Sequence, residues 1–289
     1  MRLVSYRHPE GVRAAVVVAS ADGDRVLDLP GDLVSILADA AGVDDARAAA
    51  AAAPVDQLPL LSQVELAPPV RPSKIICLGY NYRGHVADGT TDGEPDPEFP
   101  DVFVKTPNVL VGPSDAVLIP LVPADVDYEG EIALVIGRRA KDVPLESALE
   151  HVAGYTLFND VTARDWQRRT SQWALGKSFD TFGPLGPWIV TPDDIADPHD
   201  LLLEVVRDGV VTVSQSTSTM IFSMAFVVHY LSTVMTLEPG DIISTGTPQK
   251  LPDVQRDHRS LTDGDAVTIR VGGIGELTTT FTNPAGGAP

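Results

Sequence analysis

The sequence of 289 residues contains one cysteine, few aromatic side chains and far fewer basic than acidic residues. Cys77 cannot form an internal disulfide, and no cysteine or histidine lies at metal-binding spacing from it, which disfavours a zinc site. With 21 basic against 40 acidic residues, the formal net charge is −19. The chain therefore lacks the basic face that nucleic acid or an anionic membrane requires, and we expect neither as a partner.

Long hydrophobic runs are also missing from the sequence. The longest apolar stretches, such as MIFSMAFVVHYL at 220–231, fall short of the roughly 20 residues that span a bilayer. The first residues, MRLVSYRHPEG, lack the basic-then-apolar layout of a secretory signal. Together with the single cysteine, these absences predict a cytoplasmic location.

The hydrophobic fraction of 44% is enough for a full core and a small extra domain. Residues 1–65 alternate β-type segments with helical spacing and predict a small N-terminal α/β domain. Residues 66–73 (LAPPVRPS) are too rich in proline for a helix or a central strand, which predicts a linker. Residues 74–289 consist mainly of short β-type runs, with helical patterns at 145–155 and 220–235. The pattern predicts an α+β fold that is mainly β.

Three carboxylates stand out in the second region. Glu129 and Glu131 lead into an apolar run, and on a strand their side chains would point to the same face. Asp160 ends another apolar run, TLFND. Neighbouring carboxylates repel one another, so they persist at little cost only on a wet surface or around a cation, and oxygen ligands suit Mg²⁺ or Mn²⁺. On this pattern alone, a solvated acidic surface with Asp160 as a helix cap stays open.

Five segments resemble signatures of the fumarylacetoacetate hydrolase family, in the family's order. They are GYNYRGHVAD, DYEGEI, AGYTLFNDVTARDWQ, QWALGKSFDTFGPLGPWIV and LEPGDIISTGTP, and the resemblance covers roughly residues 74–283. It implies the mixed β-roll core of that family and a metal-dependent enzyme, commonly a homodimer. It favours the metal interpretation over the acidic surface.

The resemblance also implies roles for individual residues. Glu129, Glu131 and Asp160 would be the ligands of Mg²⁺ or Mn²⁺. Lys177 would contact the substrate and the oxyanion that develops during the reaction. Arg164 would orient the substrate carboxylate, and Thr247 would present a substrate-facing hydroxyl. Cys77 is outside this set, because its place in the apolar run KIICL predicts a buried structural thiol.

The family activates water with a histidine and a glutamate three residues later, and here His85 is followed by Asp88. Spacing of three on a helix places both side chains on one face, where the carboxylate can hold the imidazole in a proton-accepting tautomer. The polar segment 88–101 next to them predicts a mobile loop that could act as a lid. Without the resemblance, a histidine in such a segment is more often a surface residue. We assign no chemistry to the other histidines, and we expect Trp166, Trp173 and Trp188 to pack rather than to contact a substrate.

The implied substrate is a small 2-oxo acid, whose carboxylate and ketone oxygens form a chelating pair. A divalent cation there would act as a Lewis acid and stabilise a metal-bound enolate. Because both His85 and an acidic partner are present, we expect hydrolysis of a carbon–carbon bond in an acylpyruvate- or fumarylpyruvate-like 1,3-dioxo acid. The alternatives are an oxo-diacid decarboxylase, a tautomerase or isomerase acting on compounds like 2-hydroxyhepta-2,4-diene-1,7-dioate, and a catalytically silent member that binds metal or ligand.

Overall fold

The computed structural model describes residues 1–85 and 95–284 of the chain. Within these ranges the strands are β1 (Arg2–His8), β2 (Gly11–Val18), β3 (Arg25–Leu29), β4 (Glu65–Ala67), β5 (Ile75–Gly79), β6 (Asp101–Lys105), β7 (Leu110–Val111), β8 (Ala116–Leu118), β9 (Val126–Asp127), β10 (Gly130–Ile136), β11 (Val152–Asn159), β12 (Thr162–Ala163), β13 (Gly183–Val190), β14 (Leu202–Arg207), β15 (Val210–Ser216), β16 (Ile242–Ser244), β17 (Ala266–Val271) and β18 (Gly275–Thr282). The α-helices are α1 (Leu33–Ala38), α2 (Ala40–Ala51), α3 (Arg164–Gln167), α4 (Ala174–Lys177), α5 (Met224–Val234) and α6 (Pro252–Arg256).

The strands form one large mixed sheet and two smaller sheets. The large sheet has 11 strands, with the order β3-β2-β1-β13-β11-β10-β16-β5-β6, and with β4 paired to β1 and β7 paired to β13. Its pairs are antiparallel except β16 with β5 and β13 with β7. A sheet of 5 strands has the order β15-β14-β17-β18-β8, and β9 pairs with β12. The predicted α+β, mainly β fold is confirmed.

The core is densest around β10, whose seven residues are all buried between the neighbouring strands β11 and β16. Gly130 opens this strand where the two larger sheets come closest. A Cβ atom added to Gly130 would lie 2.5 Å from Cγ2 of Val205 and 2.9 Å from Cγ1 of Ile269, both in the smaller sheet. The close approach of the sheets therefore requires glycine between Glu129 and Glu131.

The N-terminal segment contributes β1 to β3 and the helices α1 and α2. Its first strand joins the large sheet, because Arg2 and Leu3 pair with Val190 and Ile189 of β13. The proline-rich stretch begins within the short strand β4, which pairs antiparallel with the second half of β1. The division into residues 1–65, 66–73 and 74–289 stays a prediction.

The helical predictions were partly correct. Helix α5 lies inside the predicted segment 220–235. The segment 145–155 instead forms a 3-10 helix, Leu145–His151, and then the start of β11. A Cβ atom on Gly154 would lie 2.4 Å from the carbonyl oxygen of Val190, so the pairing of β11 with β13 overrides the local helical spacing.

None of the helices in the described part of the chain combines the length and apolar character needed to cross a membrane.

Candidate active site

The three predicted carboxylates converge at one end of β10 and β11. One oxygen from each of Glu129, Glu131 and Asp160 lies within 4.8 Å of the others, and all three residues are buried. The antiparallel register pairs Gly130 with Asn159, which brings the start of β10 next to the end of β11. The Asp160 N–H also donates to the Glu129 carbonyl oxygen at 2.8 Å. Strand pairing therefore joins ligand candidates that are about thirty residues apart in sequence.

One oxygen of Glu131 is fixed by the end of β16 and the loop that follows it. Its Oε2 accepts hydrogen bonds from Ser244 Oγ at 2.5 Å and from the Gly246 N–H at 3.0 Å. Burial raises the pKa of Glu131 well above its usual value, and the charges of Asp160 and Glu129 raise it further. A divalent cation between the three carboxylates would lower this pKa and so favour the ionised form of Glu131.

Lysine and arginine side chains hold the other two carboxylates. Lys105 Nζ donates to Asp160 Oδ1 at 2.5 Å, and Arg164 Nη1 donates to Glu129 Oε1 at 2.6 Å. Lys177 Nζ bridges the remaining oxygens, at 2.5 Å from Glu129 Oε2 and 2.7 Å from Asp160 Oδ2. Burial raises the pKa of Glu129, but Arg164 and Lys177 outweigh it and leave that pKa below its ordinary value. Burial lowers the pKa of Lys177, but Asp160 and Glu129 leave it above its ordinary value.

The short helix α4 places Lys177 against the carboxylates. Gly176 precedes it, and a Cβ atom there would lie 2.5 Å from the backbone nitrogen of Gln167 in α3. The glycine therefore allows α4 to pack directly on α3. This packing positions both Lys177, at the end of α4, and Arg164, at the start of α3.

The donor set fits a hard divalent cation. The group consists of carboxylates alone. Protein donors bind one oxygen of Glu131 and both oxygens of Glu129 and Asp160, which fixes how the carboxylates are turned. Mg²⁺ and Mn²⁺ prefer such oxygen ligands. Cys77 is buried in β5, and burial raises the pKa of its thiol well above the usual range, so it stays protonated as a structural residue. The predicted buried thiol is confirmed.

His85 is oriented by the backbone. Its Nδ1 lies 2.8 Å from the Thr247 carbonyl oxygen. A carbonyl oxygen only accepts, so Nδ1 carries the proton and Nε2 of the neutral ring has a free lone pair. Burial lowers the pKa of His85, which keeps the imidazole neutral to lower pH. The structure thus sets the proton-accepting tautomer through Thr247. Asp88, its predicted orienting partner, lies outside the described residues, as does the rest of the predicted lid segment up to residue 94.

A cavity of about 520 Å³ brings most of the predicted residues together. Its wall includes His85, Glu129, Glu131, Arg164, Lys177 and Thr247. Thr247 contributes both its side chain and the carbonyl that orients His85. Arg164 donates to Asp127 Oδ2 at 2.9 and 3.0 Å in addition to its bond to Glu129, so it anchors carboxylates of the protein. Its role toward a substrate carboxylate stays a prediction.

Trp173 packs as predicted, and its ring also lines the cavity. The ring lies edge-on to Tyr80 and Phe103, with centroid distances of 5.8 and 5.4 Å. A Cβ atom on Gly79 would lie 2.7 Å from the Trp173 ring, so this glycine makes room for it. Trp188 packs as predicted too, with its Nε1 donating to the Ile274 carbonyl oxygen at 2.5 Å.

Three residues of the site region were missed from the sequence. Lys105 is the last residue of β6. A lysine at the end of a strand is normally expected to be exposed, yet Lys105 is only 2% exposed. Lys250 and His258 line the cavity, although they come from a turn-rich stretch without a recognisable pattern. The one sequence feature that could have identified Lys250 is its position, three residues after the predicted site residue Thr247. Its side chain interacts with Asp127, which also bonds Arg164.

The fold and the carboxylate site together define the class of protein. The sequence profile described as "Fumarylacetoacetate (FAA) hydrolase C-terminal" matches residues 74–282. The chain belongs to the fumarylacetoacetate hydrolase family, as its five sequence segments predicted.

Relatives with described activities cover nearly the whole chain. A mitochondrial oxaloacetate tautomerase of Bos taurus is 38% identical over 96% of this chain and 90% of its own length. The solved structure of 5-carboxymethyl-2-hydroxymuconate delta-isomerase from Mycobacterium smegmatis has 35% identity and a TM-score of 0.79, over 99% of this chain and 100% of that one. Maleylpyruvate hydrolase from Sphingobium sp. SYK-6, solved with manganese(II) and pyruvate, has 30% identity and a TM-score of 0.79, over 98% and 99%. The chain is thus similar to tautomerases, isomerases and hydrolases.

Proposed function

We propose that this protein is a divalent-metal-dependent tautomerase that interconverts the keto and enol forms of a 2-oxo dicarboxylic acid of the oxaloacetate type. The observation that carries this proposal is the position of a neutral, proton-accepting His85 in the same cavity as the buried carboxylates. The similarity to an oxaloacetate tautomerase over 96% of the chain supports the same reaction.

Glu129, Glu131 and Asp160 would hold Mg²⁺ or Mn²⁺. The bound ion would supply Lewis acidity toward the ketone oxygen of the substrate and so acidify the neighbouring carbon. The metal-bound relative supports manganese as one of the ions that such a site accepts.

The protein's residues carry the proton. His85 Nε2 accepts a proton from the carbon next to the ketone. The electrons of that C–H bond form the C=C bond of the enol, and the π electrons of the C=O bond move to the ketone oxygen, which then takes a proton from water. Lys177 stabilises the negative charge that develops there, because burial in a site with little water strengthens its field. Protonation of the oxygen completes the enol, and the reverse sequence regenerates the ketone.

The test follows the ultraviolet absorbance of oxaloacetate enol after the protein has been stripped of metal with a chelator. Added Mg²⁺ or Mn²⁺ should accelerate the approach to keto–enol equilibrium, and the stripped protein should not. A metal-free rate equal to the metal-loaded rate, or no acceleration with either ion, would refute the tautomerase proposal. A His85→Ala variant distinguishes catalysis by the protein from catalysis by free metal.

Hydrolysis of an acylpyruvate- or fumarylpyruvate-like acid, the reaction expected from the sequence, is the second candidate. The similarity to maleylpyruvate hydrolase supports it, and His85 would then take a proton from water. A panel of acylpyruvates with Mg²⁺ would release pyruvate or oxalate if this reaction operates. His85→Ala should abolish that release while sparing much of any oxaloacetate decarboxylation, which needs the metal more than a water-activating base.

Two expectations from the sequence stay predictions. The family resemblance implies a homodimer, which light scattering on the purified protein would test. The cytoplasmic location is untested, and the bovine relative is mitochondrial.

A further inference from the structure

Lys250 belongs to a loop that builds the site at several points. Residues 244–250 run from the last residue of β16 into the loop after it, and within them Ser244 and Gly246 hold Glu131. The same loop orients His85 through the carbonyl of Thr247. A single short segment therefore links a metal-ligand candidate, the proton acceptor and Lys250.

The ammonium of Lys250 is held at the cavity wall. Its Nζ donates to Asp127 Oδ1 and lies 4.0 Å from the centroid of the Tyr128 ring. The side chain is 16% exposed, and Lys250 lines the same cavity as Glu129 and Glu131. Because an ammonium has three N–H donors, the bond to Asp127 leaves capacity for an anion.

The peptide group that follows Lys250 is also fixed at both its N–H and its carbonyl. The Leu251 N–H donates to the Thr212 carbonyl oxygen at 2.9 Å, which ties the loop to β15. The side-chain amide of Gln255, in α6, donates to the Lys250 carbonyl oxygen. A cation held this way loses little conformational entropy when it binds a ligand.

The charges around the cavity favour a doubly negative ligand. Five basic side chains lie in or beside the cavity, namely Lys105, Arg164, Arg168, Lys177 and Lys250. Five carboxylates balance them, namely Asp125, Asp127, Glu129, Glu131 and Asp160. With all of these groups ionised, a divalent cation would leave the site with two positive charges in excess. A dicarboxylate neutralises both, whereas a monocarboxylate leaves one.

We propose that Lys250 binds the second carboxylate of the substrate, the one remote from the 2-oxo acid group. This inference rests on the proposed function for the substrate class. It makes Lys250 the residue that distinguishes a 2-oxo dicarboxylic acid from an otherwise similar monocarboxylate.

The test compares oxaloacetate with its 4-methyl monoester, which keeps the 2-oxo acid group and lacks the second charge. Both are assayed for enolisation at saturating Mg²⁺ with the wild type, Lys250→Met and Lys250→Arg. Lys250→Met keeps an unbranched chain over Tyr128 and removes the charge. It should lower kcat/KM for oxaloacetate about tenfold to a hundredfold, the usual size for one charge-assisted hydrogen bond, and change the ester by less than about threefold. Lys250→Arg should retain most of the preference.

The exposed Lys141 pairs with Asp142 and does not line the cavity, so Lys141→Met is the matched control and should behave as the wild type. An equal loss for both substrates in Lys250→Met, or no preference in the wild type, would overturn the inference. If the wild type enolises both compounds and the preference survives in Lys250→Met, the inference fails while the tautomerase proposal stands.

If the wild type does not enolise oxaloacetate or its ester, calorimetry measures how tightly each compound binds to the Mg²⁺-loaded protein. If the wild type enolises neither compound but binds the diacid more tightly, and Lys250→Met removes that difference, the tautomerase proposal fails and the role of Lys250 stands. If neither compound binds, both proposals fail.

Discussion

The inner and outer walls of the cavity are built differently. The inner wall consists of Glu129 and Glu131, which line the cavity, together with Asp160 beside them, and the three residues are 8%, 1% and 0% exposed. The outer wall consists of Asp125, Lys250 and His258, whose side chains are 32%, 16% and 41% exposed.

Their supports differ as well. The inner carboxylates lie where the paired strands β10 and β11 meet. The outer side chains come from the segments that precede β9 and follow β16. A wall fixed by sheet pairing suits chemistry that relatives share, and a wall on connecting segments suits the choice of substrate. Substitutions in the inner wall should therefore affect cation binding and catalysis, and substitutions in the outer wall should affect the choice of substrate.

The largest expected effect is on the inner wall. Glu131→Gln keeps the size of the side chain but removes one of the three negative charges that would bind the cation. We expect Mn²⁺ binding, measured by calorimetry, to become undetectable and enolisation to fall at least about a thousandfold. Glu146→Gln, at an exposed glutamate, is the matched control. Wild-type Mn²⁺ affinity in Glu131→Gln would show that the inner wall does not bind the cation.

His85→Ala should leave the inner wall intact and remove the proton acceptor. Turnover should fall about a hundredfold or more, because general base catalysis typically contributes that much. Mn²⁺ affinity should stay within about threefold of the wild type, since the His85 ring bonds the Thr247 carbonyl oxygen and not one of the three carboxylates. A parallel collapse of Mn²⁺ affinity would mean that His85 supports the metal site instead.

Lys105→Met tests whether the buried lysine behind Asp160 positions that carboxylate. Groups that hold a metal ligand typically change metal affinity about tenfold to a hundredfold when they are removed, so Mn²⁺ affinity should fall by that factor. The unfolding temperature without metal should fall too, because breaking a buried ion pair leaves a charge uncompensated. Unchanged Mn²⁺ affinity in a folded variant would exclude the positioning role. Lys105→Arg should recover part of the affinity.

The smallest effect concerns pH. Because burial lowers the pKa of His85, its Nε2 stays unprotonated below the ordinary histidine value of 6.5. The rate of enolisation should therefore stay high as the pH falls through 6.5 and decline only at lower pH, where the ring becomes protonated. The residual rate of His85→Ala should lack this step. A decline centred above 6.5 in the wild type would contradict the buried, neutral imidazole.

The inner wall was largely predictable from the sequence. Glu129 and Glu131 have the spacing of one strand face, and Asp160 ends an apolar run, so local pattern and family resemblance identified all three. Their convergence depends on the register of β10 with β11, which no local pattern specifies.

The outer wall and Lys105 were not predictable in this way. Lys105 is buried because β6 and the segment after β11 pack together, and only that long-range contact supplies its partner Asp160. Lys250 reaches Asp127 from a position more than a hundred residues away in sequence. The same limit applies to residues 145–155, where pairing with β13 outweighed a helical pattern.

Anomalous scattering from crystals grown with Mn²⁺ and oxalate, an enolate mimic, decides whether the inner wall binds a cation. We expect one ion coordinated at about 2.1 Å by an oxygen from each of Glu129, Glu131 and Asp160, with oxalate completing the coordination. An ion bound elsewhere, or no ion between these carboxylates at saturating Mn²⁺, would contradict both the metal site and the enzyme built around it.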